Sequence, residues 1–298
     1  MKKIISLISS IVLAAGMTTA MAANAVNVED YKPSFFFKAE ESTGVEVLKY
    51  GSVFVNRSTA PEGTKIPAAV YFSDYNHYAG QIFVKWNCEK TDLQLTDLTG
   101  PFAKAGGCPY KITGINSDAD LVNLLNTFPE LNMMAVNYTE TNVNKPLQLT
   151  GTESYDYPLA CFNAVFKSGA AGGSYDIEFY DQGNYFTAVV PRFPDDPKLS
   201  IEVHPAEYSE GLRINCSDRM LGDINDDKMI DAVDASSILA AYAKISSSME
   251  SGLSDDQLAA ADVDGNKKVD AVDASNVLGY YAFISGTGTG TLNEFVKR

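Results

Sequence analysis

The sequence predicts a mainly β protein: an antiparallel β-sandwich followed by a small all-α unit. Three observations predict this. From Val26 to Cys216, short apolar-rich runs are punctuated by Gly, Pro, Asn and Asp, the pattern of strands joined by turns. Beyond Cys216 the composition shifts to Asp and Ala in helical runs. That second stretch also repeats itself at an offset of 39 residues. The chain has 298 residues and is 45% hydrophobic, enough for packed cores and too apolar for a disordered chain. Its length favours two domains.

In chain order, the first element is an export signal at residues 1–22. Lys2 and Lys3 precede a mostly apolar run from Ile4 to Ala15, and Ala20-Met21-Ala22 places small residues where a signal peptidase reads them. Cleavage is expected after Ala22, with Ala25 as the second choice. The run is too short to be comfortable as a membrane span. The protein is therefore expected outside the cell, in an oxidising compartment.

The sandwich is expected over residues 26–218. Its strand-like runs are Glu46–Val55, Ile66–Phe72, Gln81–Trp86, Asp92–Leu98, Asn132–Tyr138, Pro158–Lys167, Ser174–Tyr180, Tyr185–Val190 and Leu212–Cys216. Ile82, Val84 and Trp86 alternate with Gln81, Phe83 and Lys85, a period of two that buries one face and leaves Phe83 as the exception. One helix is expected to interrupt, with Ser117 as N-cap and Leu121, Leu124 and Leu125 at helical spacing. So many strands without βαβ alternation point to antiparallel layers. Cys88, Cys108, Cys161 and Cys216 permit two disulfides in three connectivities, or buried thiols. Their spacing fits no zinc pattern.

Charge narrows the function. The net charge is −15, from 23 basic and 38 acidic residues. A nucleic-acid or anionic-membrane surface needs the opposite sign. Residues 221–285 hold 12 acids and 4 lysines, a net −8, more than half of the excess.

That concentration has a chemical reason. Asp223–Ala243 falls on Asp262–Ala282 with 11 of 21 positions identical. The first loop offers Asp223, Asn225, Asp227, Met229, Asp231 and Asp234 at positions 1, 3, 5, 7, 9 and 12. The second offers Asp262, Asp264, Asn266, Lys268, Asp270 and Asp273. Met229 and Lys268 stand where a main-chain carbonyl serves. This is the oxygen-donor spacing of a calcium loop, which gathers six to eight oxygens around a hard cation. Two bound Ca²⁺ are therefore expected. Ile230 and Val269, at position 8, are expected to face each other. Five carboxylates in one loop and four in the other repel until a cation collects them, so metal binding and folding should be coupled. Position 12 is Asp instead of the usual Glu, and position 6 is Lys228 and Lys267 where a left-handed residue is needed, at a cost of roughly 1 kcal/mol. No entering helix precedes Asp223.

A calcium loop with only an exit helix (an F-hand), twice repeated, resembles a type I dockerin. The resemblance covers residues 219–285, and carries Gly222-Asp223, both loops and the motif Asp-Ala-Ser-x-x-Leu-x-x-Tyr-Ala at 234–243 and 273–282. A capping box, Ser254 to Gln257, opens a short middle helix. The resemblance implies a plug that binds the cohesin module of a larger scaffoldin. It implies that the partner is read at loop positions 10 and 11, here Ala232, Val233, Ala271 and Val272, and along the following helix, where Lys244 stands opposite Phe283. The near-symmetry implies two docking orientations. Residues 286–298 are expected to be a flexible tail.

The larger domain admits three readings. Gly63–Phe72, Gly80–Asn87, Leu93–Leu95, Pro158–Lys167 and Gly173–Phe179 resemble cohesin strands. A cohesin-like jelly roll joined to a dockerin resembles a small adaptor scaffoldin that recruits dockerin-bearing proteins. The second reading is a carbohydrate-binding module, for which the aromatic candidates are Trp86 and the cluster Tyr71, Tyr75 and Tyr78. The third is a cell-wall hydrolase, for which there is no Gly-x-Ser-x-Gly elbow and no evident partner for His77 or His204. The adjacent acids Glu40-Glu41 carry no specific signal. The favoured expectation is a non-catalytic connector.

Overall fold

The structure is a computed structural model describing residues 34–72, 77–86, 92–99, 121–128, 131–140, 160–183, 186–191, 204 and 209–298. The export signal, Ser117, Cys88, Cys108 and Tyr75 lie outside these residues.

Alternating apolar residues build the two layers. The smaller sheet joins β1 (Phe35–Ala39), β4 (Lys65–Phe72), β9 (Ala160–Phe166) and β6 (Leu93–Thr99) in that spatial order. The larger runs β2 (Val45–Val47), β3 (Val53–Asn56), β12 (Leu212–Ser217), β10 (Gly173–Phe179), β5 (His77–Trp86), β8 (Met133–Glu140) and β7 (Leu121–Phe128), with β11 (Ala188–Pro191) also paired to β5. Ile66, Ala68 and Val70 face Ile82, Val84 and Trp86 across one buried core. This period-two burial on two facing sheets is what makes the sandwich.

Four departures from the sequence expectation have physical reasons. Among the described strands, pairing is antiparallel except between β3 and β12, which run parallel with Ile214 opposite Val53. The run Glu46–Val55 is two strands, because Gly51 adopts a left-handed φ of 88° and the chain folds back so that Val47 pairs with Val53. The expected helix at Leu121, Leu124 and Leu125 is strand β7, paired along its whole length with β8; partner pairing overrides a short helical spacing. Phe83 is not solvated: it lies on the outer face of β5 in its own buried cluster with Met133 and Ala135.

Trp86 is 3% exposed inside the sandwich core and Tyr71 is buried against Phe36, so neither offers a sugar platform. His204 pairs with Asp181 at 2.9 Å. Cys216 is buried on β12 and Cys161 half-buried on β9, in different sheets.

The C-terminal unit holds α1 (Ala232–Ser246), α2 (Asp255–Ala261), α3 (Ala271–Ser285) and α4 (Leu292–Val296). Capping boxes start all four, including Ser254 with Gln257 for α2. α1 packs on α3. The last of these helices corrects the expected flexible tail. Thr291 and Glu294 cap α4, Leu292 and Val296 are buried, and the rings of Tyr280 (edge-on) and Phe283 (tilted) pack against Phe295. Three glycines in the preceding segment, Gly286, Gly288 and Gly290, give a turn, after which two apolar residues find a core.

The two units share that second core. Leu48 and Phe54, from the sandwich, are buried with Leu221, Ile224, Ile238, Val263, Val277 and Leu292. Phe54 sits between Val53 and Val55, which point into the sandwich, so strand alternation delivers it to the outer face. α2 lies across β10 and β12.

Candidate metal centres and docking face

Each loop begins on the buried side of the C-terminal unit and ends at a helix N-cap. In the first, Asp231 caps α1 by accepting from Val233 N at 2.7 Å. Asp234, fully buried, accepts from Ile224 N at 2.8 Å and Asp231 N at 3.0 Å. The second repeats this: Asp270 accepts from Val272 N, and Asp273 from Val263 N and Asp270 N. The acid at position 12 therefore ties both ends of its loop together. Asx bonds turn the middle: Asp227 N donates to Asn225 and Asn266 N to Asp264, both at 3.0 Å.

The special backbone conformations fall in register. Asp226 and Gly265, at position 4, have φ of 61° and 78°, and Lys228 and Lys267, at position 6, have 68° and 71°. Both lysines thus carry the left-handed strain expected of them. Their amides donate to the position-1 carboxylates, Lys228 N to Asp223 at 3.1 Å and Lys267 N to Asp262 at 3.2 Å.

These residues fit a divalent cation. Asp223 Oδ1 is buried and accepts no hydrogen bond, a costly state unless a cation faces it. In the second loop, one oxygen from each of Asp262, Asp264 and Asp273 lies within 4.8 Å of the others, all three residues buried. Oxygens sharing one calcium at 2.3–2.6 Å are at most about 5.2 Å apart. Burial raises the carboxyls of Asp223 and Asp264, pushes Asp262 up to about 6 and Asp273 up to about 8; Asp262 and Asp264 add repulsion at Asp273. A bound cation offsets this desolvation and repulsion. Met229 and Lys268 are exposed, as suits residues expected to contribute only a carbonyl. Ile230 and Val269 are half-buried against the shared core.

The loops differ in their surroundings. Asn225, Asp227 and Lys228 of the first are exposed. The second is pressed on the sandwich. Asn215 Nδ2 donates to Asp262 Oδ2 at 3.1 Å, Ser52 Oγ to the Gly265 carbonyl at 2.6 Å, Tyr50 N to the Asp264 carbonyl at 3.0 Å, and Arg213 to the Lys267 carbonyl at 2.9 Å.

The expected docking residues are largely at the surface. Ala232, Val233, Lys244, Ala271 and Val272 are exposed. Phe283 is half-buried, held between Phe295 and the Arg298 guanidinium, 4.4 Å from its ring. Sequence reasoning passed over the rest of the surface. Leu239 and Leu278, Tyr242 and Tyr281, and Ile245 and Ile284 join Val233 and Val272 as exposed pairs, each 38–55% exposed and each pair 39 residues apart. The repeat itself held this signal, since Leu and Tyr belong to the shared motif. At one end, a cleft of about 630 Å³ separates Tyr242, Ile245 and Val272 from Ser174 and Arg213 of the sandwich. Among the described residues, no helix is long and apolar enough to cross a membrane.

Residues 221–280 match the family model of the dockerin type I domain. No curated protein matches the chain. Among solved structures it is similar to a type I cohesin–dockerin complex from Clostridium thermocellum, at 12% identity and TM-score 0.38, covering 62% of this chain and 99% of that one. It is similar to a type II cohesin domain from Acetivibrio cellulolyticus, at 14% identity and TM-score 0.39, covering 62% and 96%. A type III cohesin module from Ruminococcus flavefaciens gives 13% and 0.39, covering 66% and 96%. The chain thus joins an N-terminal β-sandwich to a C-terminal segment, residues 221–280, that matches the type I dockerin family.

Proposed function

We propose that this protein is a secreted, non-catalytic adaptor. Its C-terminal unit, organised by two Ca²⁺, plugs into a cohesin module of a larger scaffoldin. Its sandwich recruits a second, dockerin-bearing protein. The carrying observation is the set of four repeat-related exposed apolar pairs on α1 and α3, within the residues that match the dockerin type I family. Soluble surfaces seldom leave so many large apolar side chains uncovered unless a partner covers them. Asp223, Asn225, Asp227, Met229, Asp231 and Asp234 hold one ion, and Asp262, Asp264, Asn266, Lys268, Asp270 and Asp273 the other.

Recruitment by the sandwich is supported by the cohesin-like strand motifs and by the burial of Trp86 and Tyr71, which takes those two aromatics out of any carbohydrate platform. The test uses the whole mature chain, because removing the C-terminal unit would expose Leu48 and Phe54. A type I cohesin is immobilised and loaded with the chain in calcium. Chelator should release the chain. The loaded surface should then capture a second dockerin protein that the bare cohesin, once saturated, does not. Capture of insoluble polysaccharide instead of protein would overturn the recruiting role.

A further inference from the structure

We propose that Asn215 and Ser52, on the outer face of the sandwich, are positioning residues for the second metal loop. The sandwich thereby becomes part of that site, while the first loop binds its ion unaided. The inference rests on the calcium reading given above.

Strand β12 explains how an amide reaches a metal loop. Ile214 and Cys216 belong to the sandwich core, so Asn215 projects to the opposite side. An outer strand face of this kind ordinarily meets water. Asn215 is instead fully buried. Its Oδ1 accepts from Ser174 Oγ at 2.8 Å, which fixes the amide orientation and directs Nδ2 at Asp262 Oδ2. Ser52, 1% exposed, fixes the main chain three residues on through the Gly265 carbonyl. With Tyr50 on Asp264 and Arg213 on Lys267, positions 1, 3, 4 and 6 are all anchored from outside the loop. Arg213 is itself held by a two-pronged pair with Asp176 at 2.8 and 2.9 Å.

The first loop draws its hydrogen bonds from within the C-terminal unit. Asp234 receives Ile224 N, Gln257 reaches the Ile224 carbonyl, and Asp223 receives Lys228 N. Position 4 records the difference in the sequence. A Cβ at Gly265 would come within 2.6 Å of Leu48 Cβ and 3.1 Å of Ser52 Cβ, whereas its counterpart Asp226 carries a full side chain in the open. Glycine at 265 is thus a requirement of the sandwich contact as well as of a left-handed φ.

A partner that orients a metal-bound carboxylate raises affinity because less ordering remains to be done on binding. The experiment is a calorimetric Ca²⁺ titration of the full mature chain, as wild type, Ser52→Ala and Asn215→Ala, each repeated with Asp223→Ala so that only the second loop remains. The sole tryptophan, Trp86, supplies a second readout, because its fluorescence reports unfolding of the sandwich. Ser52→Ala and Asn215→Ala should weaken the second site about tenfold and leave the first unchanged. Calcium should raise the Trp86 melting temperature in the wild type and less so in both variants. Unaltered second-site affinity in the variants, against two-site binding in the wild type, would overturn this proposal alone. Equal weakening of both sites would overturn it too, as mere destabilisation. No calcium binding by the wild type would overturn it together with the metal reading. Should Asn215→Ala fail to fold, Ser52→Ala, which deletes one oxygen, decides the matter.

Discussion

The two Asp-rich loops are near-copies in sequence and unlike in environment. In the first loop the end ligands Asp223 and Asp234 are buried, but the middle lies open, with Asn225, Asp227 and Lys228 in solvent. Asp262–Asp273 is sealed between α3 and the sandwich, with Asp262, Asp264 and Asp273 buried. A repeat fixes which oxygens are offered; the neighbour fixes what it costs to hold them together. Burial pushes Asp262 up to about 6 and Asp273 up to about 8, the cost of gathering carboxylates away from water.

The difference can be broken most strongly at the seam. Phe54→Ala removes a side chain that belongs to strand β3 but packs in the C-terminal core. It should cost about 3–5 kcal/mol and split one calorimetric unfolding transition into two. Calcium removal comes next. At calcium about a thousandfold above the dissociation constant, chelation should cost about 4 kcal/mol, read as loss of helical circular dichroism and a lower melting temperature. At the docking face, Tyr242→Ala and Tyr281→Ala separately should each leave cohesin binding through the other pseudo-symmetric orientation. The double variant should lose at least about 2 kcal/mol, roughly thirtyfold in Kd, by surface plasmon resonance. If one single variant alone abolishes binding, the faces are not equivalent and the cleft beside Arg213 fixes one orientation.

The smallest effect sharpens the comparison further. Lys228→Gly relieves a left-handed φ of 68° and gives up only a solvent-exposed ion pair with Asp226, so it should stabilise by about 1 kcal/mol. Lys267→Gly relieves the same strain but forfeits the bond from Lys267 Nζ to the Gly211 carbonyl at 2.6 Å. Its gain should be smaller or reversed, by thermal denaturation in calcium.

Local patterns were legible wherever one residue's neighbours in sequence decide its fate. The capping box from Ser254 to Gln257 and the inward phase of Ile82, Val84 and Trp86 are of that kind. What escaped depends on partners distant along the chain. Leu121, Leu124 and Leu125 carry a helical spacing, yet β8 offers a full ladder. The Gly-Thr repeat before α4 reads as a linker, yet Leu292 and Val296 beyond it meet the shared core, and Asn293 donates to the Val47 carbonyl at 3.1 Å. Leu48 and Phe54 read as ordinary strand residues, because nothing local shows which face another module will cover.

The account turns on the carboxylate loops gathering metal, and calcium titration of the whole mature chain tests that most directly. Two ions should bind, the second loop's the more tightly, with a gain of helix measured in the same samples. A flat thermogram with unchanged ellipticity would contradict it.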